Sequence, residues 1–154
     1  MVCSKQPTPS SFYDIIEYIT TATTGNATDF GDLLAANFMC TGVSDATRGV
    51  IGGGNGPTTS GANFNVIQYI TMASTGNAQD FGDLTGFNGT GKGGAASPTR
   101  FVLGGGYGTS PHFMNTIEFV QIATTGNSKD FGDLAGFGRR VPNQVSNNNG
   151  GISG

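Results

Sequence analysis

Ala73-Ser-Thr-Gly-Asn-Ala-Gln-Asp-Phe-Gly-Asp-Leu84 decides how this chain is read, because the chain writes it three times. The other copies are Ala22-Thr-Thr-Gly-Asn-Ala-Thr-Asp-Phe-Gly-Asp-Leu33 and Ala123-Thr-Thr-Gly-Asn-Ser-Lys-Asp-Phe-Gly-Asp-Leu134. Gly25, Gly76 and Gly126 stand 51 and 50 residues apart. Recurrence at that period points to a solenoid, a propeller or an array, whose units are too small to fold alone. Ahead of each copy runs a stretch rich in β-branched and aromatic residues, 13–22, 64–73 and 114–123. In the first, Ile15 and Ile19 share one side and Ile16 and Tyr18 the other, as in a strand packed between neighbouring sheets. The Thr-Gly-Asn that follows is expected to reverse the chain in a tight hairpin turn. In the short strand after it, Phe30 and Leu33 have opposite parity and cannot both face a core along a regular strand. Gly31 between them is therefore expected to mark a bulge or the close approach of a neighbouring backbone.

A second pattern precedes the later copies: Thr47-Arg-Gly-Val-Ile-Gly-Gly-Gly-Asn-Gly56 and Thr99-Arg-Phe-Val-Leu-Gly-Gly-Gly-Tyr-Gly108. Bulky residues running into Gly52, Gly53 and Gly54, or Gly104, Gly105 and Gly106, imply a crowded place that excludes side chains. Ala36-Asn-Phe-Met-Cys-Thr41 and Gly93-Gly-Ala-Ala-Ser97 are further candidate strands of small residues. The expected fold class is all-β, in units of four short antiparallel strands. Four-stranded sheets at such a period are the signature of β-propeller blades, here about three per chain.

The pattern resembles a kelch-type repeat. In that family an arginine-led segment, a strand ending in paired glycines, a tyrosine-bearing strand and a strand with a bulky aromatic follow in order. The matching residues are Arg48 or Arg100, the two glycine triplets, Tyr69 or Phe119 (with Tyr18 at the same position), and Phe81 or Phe131 (with Phe30). The chain departs from kelch in having phenylalanine for tryptophan and a longer span from Tyr69 to Phe81. It is still more similar to glycine-, serine- and threonine-rich repeat proteins of marine bacteriophages, which carry runs like Ile16-Glu-Tyr-Ile and Thr24-Gly-Asn-Ala-Thr-Asp-Phe-Gly-Asp-Leu33. Many of those end in something like Ser146-Asn-Asn-Asn-Gly-Gly-Ile152.

The phase of the repeat divides 1–154, read as one repeat domain, into 12–33 (the C-terminal half of a blade), 36–84 and 88–134 (whole blades) and 139–154 (an N-terminal half blade). Asn149-Gly-Gly-Ile-Ser-Gly154 resembles a worn Arg-Gly-Val-Ile-Gly-Gly. The two ends are complementary halves, and propellers typically need four to eight blades. The ring is therefore expected to be completed by oligomerisation, with a dimer favoured.

Composition narrows the function. Charged residues are 11% of the 154, against roughly 25% in ordinary globular proteins. With 27 glycines the chain could pass for a linker, but 11 phenylalanines and 4 tyrosines at repeated positions argue for a packed core. A net charge of -3 supplies no basic surface for nucleic acid. No apolar run approaches roughly 18 residues, so membrane insertion is not expected, and the first residues lack the apolar core of a signal peptide. Cys3 and Cys40 sit in unlike surroundings and are expected to be free thiols.

The most repeated charged residues are Asp29, Asp32, Asp80, Asp83, Asp130 and Asp133. Pairs of carboxylates flanking glycine are candidate calcium ligands, although the spacing lacks a calcium-loop pattern. The other role open to them is to accept backbone N–H groups or to pair with Arg48 and Arg100. The triple glycines have neither the lysine nor the following helix of a phosphate loop. His112 is the sole histidine; with no other histidine to join it, no metal centre is expected. No cofactor and no catalytic set is expected. The segments between repeats, bearing Asn55 to Asn63 and Tyr107, His112 and Phe113, form the candidate ligand loops. Together with the phage resemblance this implies a non-enzymatic structural or adhesion component of a virion. Its partners would be copies of itself, other virion proteins and a host surface glycan. The alternative is a soluble glycan- or protein-binding propeller module.

Overall fold

The computed structural model describes residues 12–56, 64–86, 91–108, 112–140 and 144–146. The fold is all-β, and its described strands form three antiparallel sheets. The first sheet pairs β1 (Tyr13–Tyr18) with β2 (Thr28–Asn37). The second takes β3 (Thr41–Ser44), β4 (Arg48–Gly52), β5 (Val66–Thr71) and β6 (Gln79–Asp83) in sequence order. The third does the same with β7 (Gly93–Ala96), β8 (Arg100–Gly104), β9 (Thr116–Gln121) and β10 (Lys129–Asp133). Among the described residues no sheet closes on itself, and no strand of the first sheet pairs with one of the third.

Each sheet buries one face on the next. Ile16 and Leu33 of the first sheet pack with Ile51, Ile70 and Ala78 of the second. Val50, Ile67, Phe81 and Leu84 pack with Phe101, Leu103, Val120 and Ile122 of the third. Phe81 and Leu84 both reach this core, although their parity forbids it on a regular strand. A bulge resolves the conflict. Gln68 pairs with Asp80 and Ile67 with Gly82, so Phe81 is skipped in the register. The same shift occurs at Gly31 and at Gly132, and these glycines sit at φ of 147°, 146° and 139° across the three copies, where a side chain is strained.

Three expectations are corrected. The chain does not reverse at Thr-Gly-Asn: the turns lie at 72–74 and 122–124, and 75–78 and 125–128 run on outside the sheets. None of the asparagines there has positive φ; among the described non-glycine residues Met39 does, at 57°. The first small-residue strand is also displaced. Ala36 and Asn37 end β2, and β3 begins only at Thr41. Cys40, finally, is disulfide-bonded, and no cysteine among the described residues is free. The chain's other cysteine, Cys3, lies outside the described residues. Cys40 packs against the core between the first two sheets, a placement set by the fold and not by its sequence neighbours.

Candidate functional site

The residues that recur in sequence converge at the joints between successive sheets. Asp-Phe-Gly-Asp forms the outer edge strand of each sheet, which leaves alternate backbone groups unpaired. The Thr-Gly-Asn segment of the following unit supplies their partners. At the first joint Gly76 N–H donates to Phe30 O at 2.7 Å and Ala78 N–H to Asp32 O at 2.7 Å, while Asp32 N–H donates to Asn77 Oδ1 at 3.1 Å. The second joint repeats the set. Gly126 N–H donates to Phe81 O at 2.6 Å, Ser128 N–H to Asp83 O at 2.8 Å, and Asp83 N–H to Asn127 Oδ1 at 3.0 Å. The asparagine is thus needed for its amide oxygen. The glycine of the edge strand is needed for space: a Cβ on Gly31 or Gly82 would lie 2.5 Å from the carbonyl carbon of Gly76 or Gly126.

One further contact completes each joint, and an arginine adds another at the second. Leu34 N–H donates to Gln68 Oε1 at 2.8 Å, and Thr85 N–H to Glu118 Oε1 at 2.9 Å; the Thr85 hydroxyl donates to the same carboxylate. Glu118 is buried and ion-pairs with buried Lys92 at 3.1 Å, and Lys92 Nζ also donates to Gly105 O at 3.1 Å. Arg48 stacks 4.8 Å from the Tyr69 ring centroid and passes on to donate to Ile122 O of the next sheet at 2.9 Å. Arg100 stacks in the same way on Phe119, 5.0 Å from the centroid. Neither guanidinium bonds one of the repeated aspartates among the described contacts. The aligned aromatics form one edge-to-face pair per sheet, Tyr18 with Phe30, Tyr69 with Phe81 and Phe119 with Phe131, all with centroids near 6 Å (6.0, 5.9 and 5.9 Å).

Asp29 and Asp130 accept the N–H of Gly31 and Gly132 at 3.1 Å, so these carboxylates bind the bulge of their own strand. Asp32 and Asp83 serve the joints through their backbones. Among the described residues no group of three or more His, Cys, Asp or Glu is placed to hold a metal ion. Within the triple glycines Gly52 is crowded, since a Cβ there would lie 2.9 Å from Leu103 Cδ2. Gly53, Gly54, Gly105 and Gly106 take φ between 66° and 117°.

The candidate ligand loops are only partly described. Asn63 and the rest of 57–63 lie outside the described residues, and Asn55 bridges to Phe38. Tyr107 gathers a cluster, with His112 stacked at 5.4 Å, Phe113 edge-on at 5.7 Å and Arg140 over its face at 5.2 Å. A separate groove of about 570 Å³ runs between β1 and β3, walled by Ile16, Ile19, Phe30, Cys40, Ile70 and Met72. Apolar groups from both sheets wall it, and the first sheet has two strands among the described residues where the others have four.

Sequence reasoning passed over Asn77, Asn127, Gln68, Glu118 and Lys92. The signal was present: an invariant asparagine across the copies, and Glu17, Gln68 and Glu118 at one place on a strand otherwise apolar. No protein-family model matches the chain, and no curated protein matches it. Among the described residues no helix is long and apolar enough to cross a membrane.

Proposed function

We propose that this protein is a non-enzymatic structural or adhesion component of a bacteriophage virion: a tail, fibre or capsid-surface accessory. Its sheets then act as kelch-like blades in a ring completed by a second chain. The observation that carries this reading is the joint, built twice with the same atoms. The repeated residues are engaged in stacking sheet on sheet, which is the chemistry of an assembly unit. Three features support it further. The repeat resembles marine phage proteins, charged residues are few at 11%, and the Cys40 disulfide suits an oxidising exterior such as a particle surface. Mass spectrometry of purified virions tests the assignment: the protein is expected at stoichiometric copy number, and its absence from the particles sinks the reading.

The Tyr107 cluster favours a second reading, a soluble glycan- or protein-binding module. Stacked Tyr107 and His112 under Arg140 offer flat and cationic surfaces of the kind that hold sugars and protein edges. On a glycan array this reading expects binding that Tyr107→Ala removes. An adhesion role within the particle would share that result, and detection in virions separates the two.

A further inference from the structure

Two joints are complete within the chain, and both halves of a third are present but apart. The acceptor half is β10. Its Asp130-Phe-Gly-Asp133 is the same edge that β2 and β6 present, yet no described residue lies against it. A Cβ on Gly132 would meet nothing within 4 Å, where on Gly82 it would collide with backbone at 2.5 Å. Phe131 is 55% exposed, while Phe81 at the occupied edge is 2% exposed. The donor half is Thr24-Gly25-Asn26-Ala27. Ala27 is exposed where Ala78 and Ser128, its counterparts, are 5% and 7% exposed. Glu17 is exposed where Gln68 and Glu118 are each 3% exposed, and Ile19 is 59% exposed where Ile70 and Val120 are 6% and 3%. Arg100 is stacked ready on Phe119, and among the described residues it reaches no carbonyl of a following sheet.

We propose that a second copy of this chain docks head to tail through this joint, its 24–27 segment lying along β10. The repeat sets the register. Gly25 N–H donates to Phe131 O, Ala27 N–H to Asp133 O, and Asp133 N–H to Asn26 Oδ1. Glu17 accepts Ala135 N–H, and Arg100 donates to the carbonyl of Thr21, as Arg48 does to that of Ile122. The occupant is identified by the molecule itself, since the missing donor and the missing acceptor are copies of partners that already fit each other twice. The contact is heterologous, so two chains each carrying both halves can close on each other through two joints. An open edge such as β10 otherwise invites unspecific pairing. This goes beyond assignment to a particle, stands whether or not that assignment holds, and does not require exchange of the 139–154 segment.

Light-scattering mass over a dilution series tests it with two kinds of variant. Gly25→Pro removes the donor N–H on an exposed segment; Gly132→Val blocks the acceptor edge. The parent is expected at twice its chain mass of 15.7 kDa, and each variant alone at once that mass. Mixed in equal amounts, the two are expected to recover a one-to-one pair, because one intact donor then meets one intact edge. Asp133→Pro, which removes only the outward N–H met by Asn26, replaces Gly132→Val if that variant fails to fold by circular dichroism. A parent that is monomeric throughout, a Gly25→Pro that keeps the parent's mass, or a mixture that stays monomeric overturns the proposal. A chain lacking 145–154 is expected to remain a dimer. Loss of the dimer there, with Gly25→Pro still dimeric, would assign assembly to the tail instead.

Discussion

Glu118 and Lys92 show how one copy of the repeat can hold charges where another does without them. Glu118 takes the position of Gln68, and each side chain caps the backbone N–H that leaves the preceding edge strand. Lys92 donates to Gly105 O where Asn37 Nδ2 donates to Gly53 O at 2.8 Å. Asn37 Oδ1 is left without a hydrogen-bond partner among the described residues, while Lys92 and Glu118 pair with each other. A buried ion pair of this kind adds little over a well-packed neutral pair, but breaking it leaves a charge in the core. Glu118→Gln is therefore expected to cost about 3 kcal/mol in urea unfolding. The double variant Lys92→Met with Glu118→Gln is expected to regain most of that. The joint asparagines give a sharper contrast for one substitution. Asn77→Ala and Asn127→Ala each remove a hydrogen bond that ties two sheets together and are expected to lower stability by about 1 kcal/mol. Asn26→Ala is expected to leave the stability of the monomer unchanged.

Elements show which parts of the fold were legible in the sequence. The grouping into repeated strands and an irregularity at Gly31 could be read from period and parity, because Phe30 and Leu33 cannot face one core along a regular strand. The sequence left a bulge and a close backbone approach both open, and both occur there. The fate of Thr-Gly-Asn could not be read. Its residues suit a hairpin turn as well as a docking segment, and in all three copies the turn falls just before it, at 21–23, 72–74 and 122–124. The Cys40 disulfide was hidden too, since spacing in sequence does not report proximity. The β3–β4 turn is an element whose chemistry is local and therefore predictable. Asp45 Oδ1 accepts the N–H of Thr47 and Arg48 at 2.6 and 2.7 Å and the Thr47 hydroxyl at 2.9 Å. Burial pushes its carboxyl up, yet these bonds and the Arg48 charge together hold it below its ordinary 3.8. A lowered folded value means that this stabilisation is full above 3.8 and is lost as pH falls through the folded value. Ser97 fills the same place between β7 and β8, accepting from Thr99 and Arg100 at 3.3 and 3.1 Å. Asp45→Ser is expected to keep the turn and to remove its share of the acid sensitivity. Asp45→Ala is expected to weaken the turn at all pH, with urea unfolding at neutral pH and at pH below that value as the check.

At the scale of the molecule, the joints decide whether three sheets behave as one body. Each sheet shares its core with its neighbour, and the clasp of backbone bonds holds the shared face closed. Stability in such an array is a sum of unit and interface terms, so weakening one interface uncouples the units on either side. Gly82 is the place to test this, because it lies on the edge strand and its added side chain would strike the Gly126 backbone. Gly82→Val is expected to separate the third sheet from the first two, turning a single urea transition into two of smaller slope each. Native-state hydrogen exchange locates the effect. In the parent, the amides of Gly76, Ala78, Gly126 and Ser128, which donate across the joints, are expected to exchange as slowly as the strand interiors. In Gly82→Val, Gly126 and Ser128 are expected to exchange fast, while Gly76 and Ala78 remain protected. Uniform acceleration at all four amides would show instead that the sheets unfold as a single unit, with cohesion coming from the shared cores and not from the clasps.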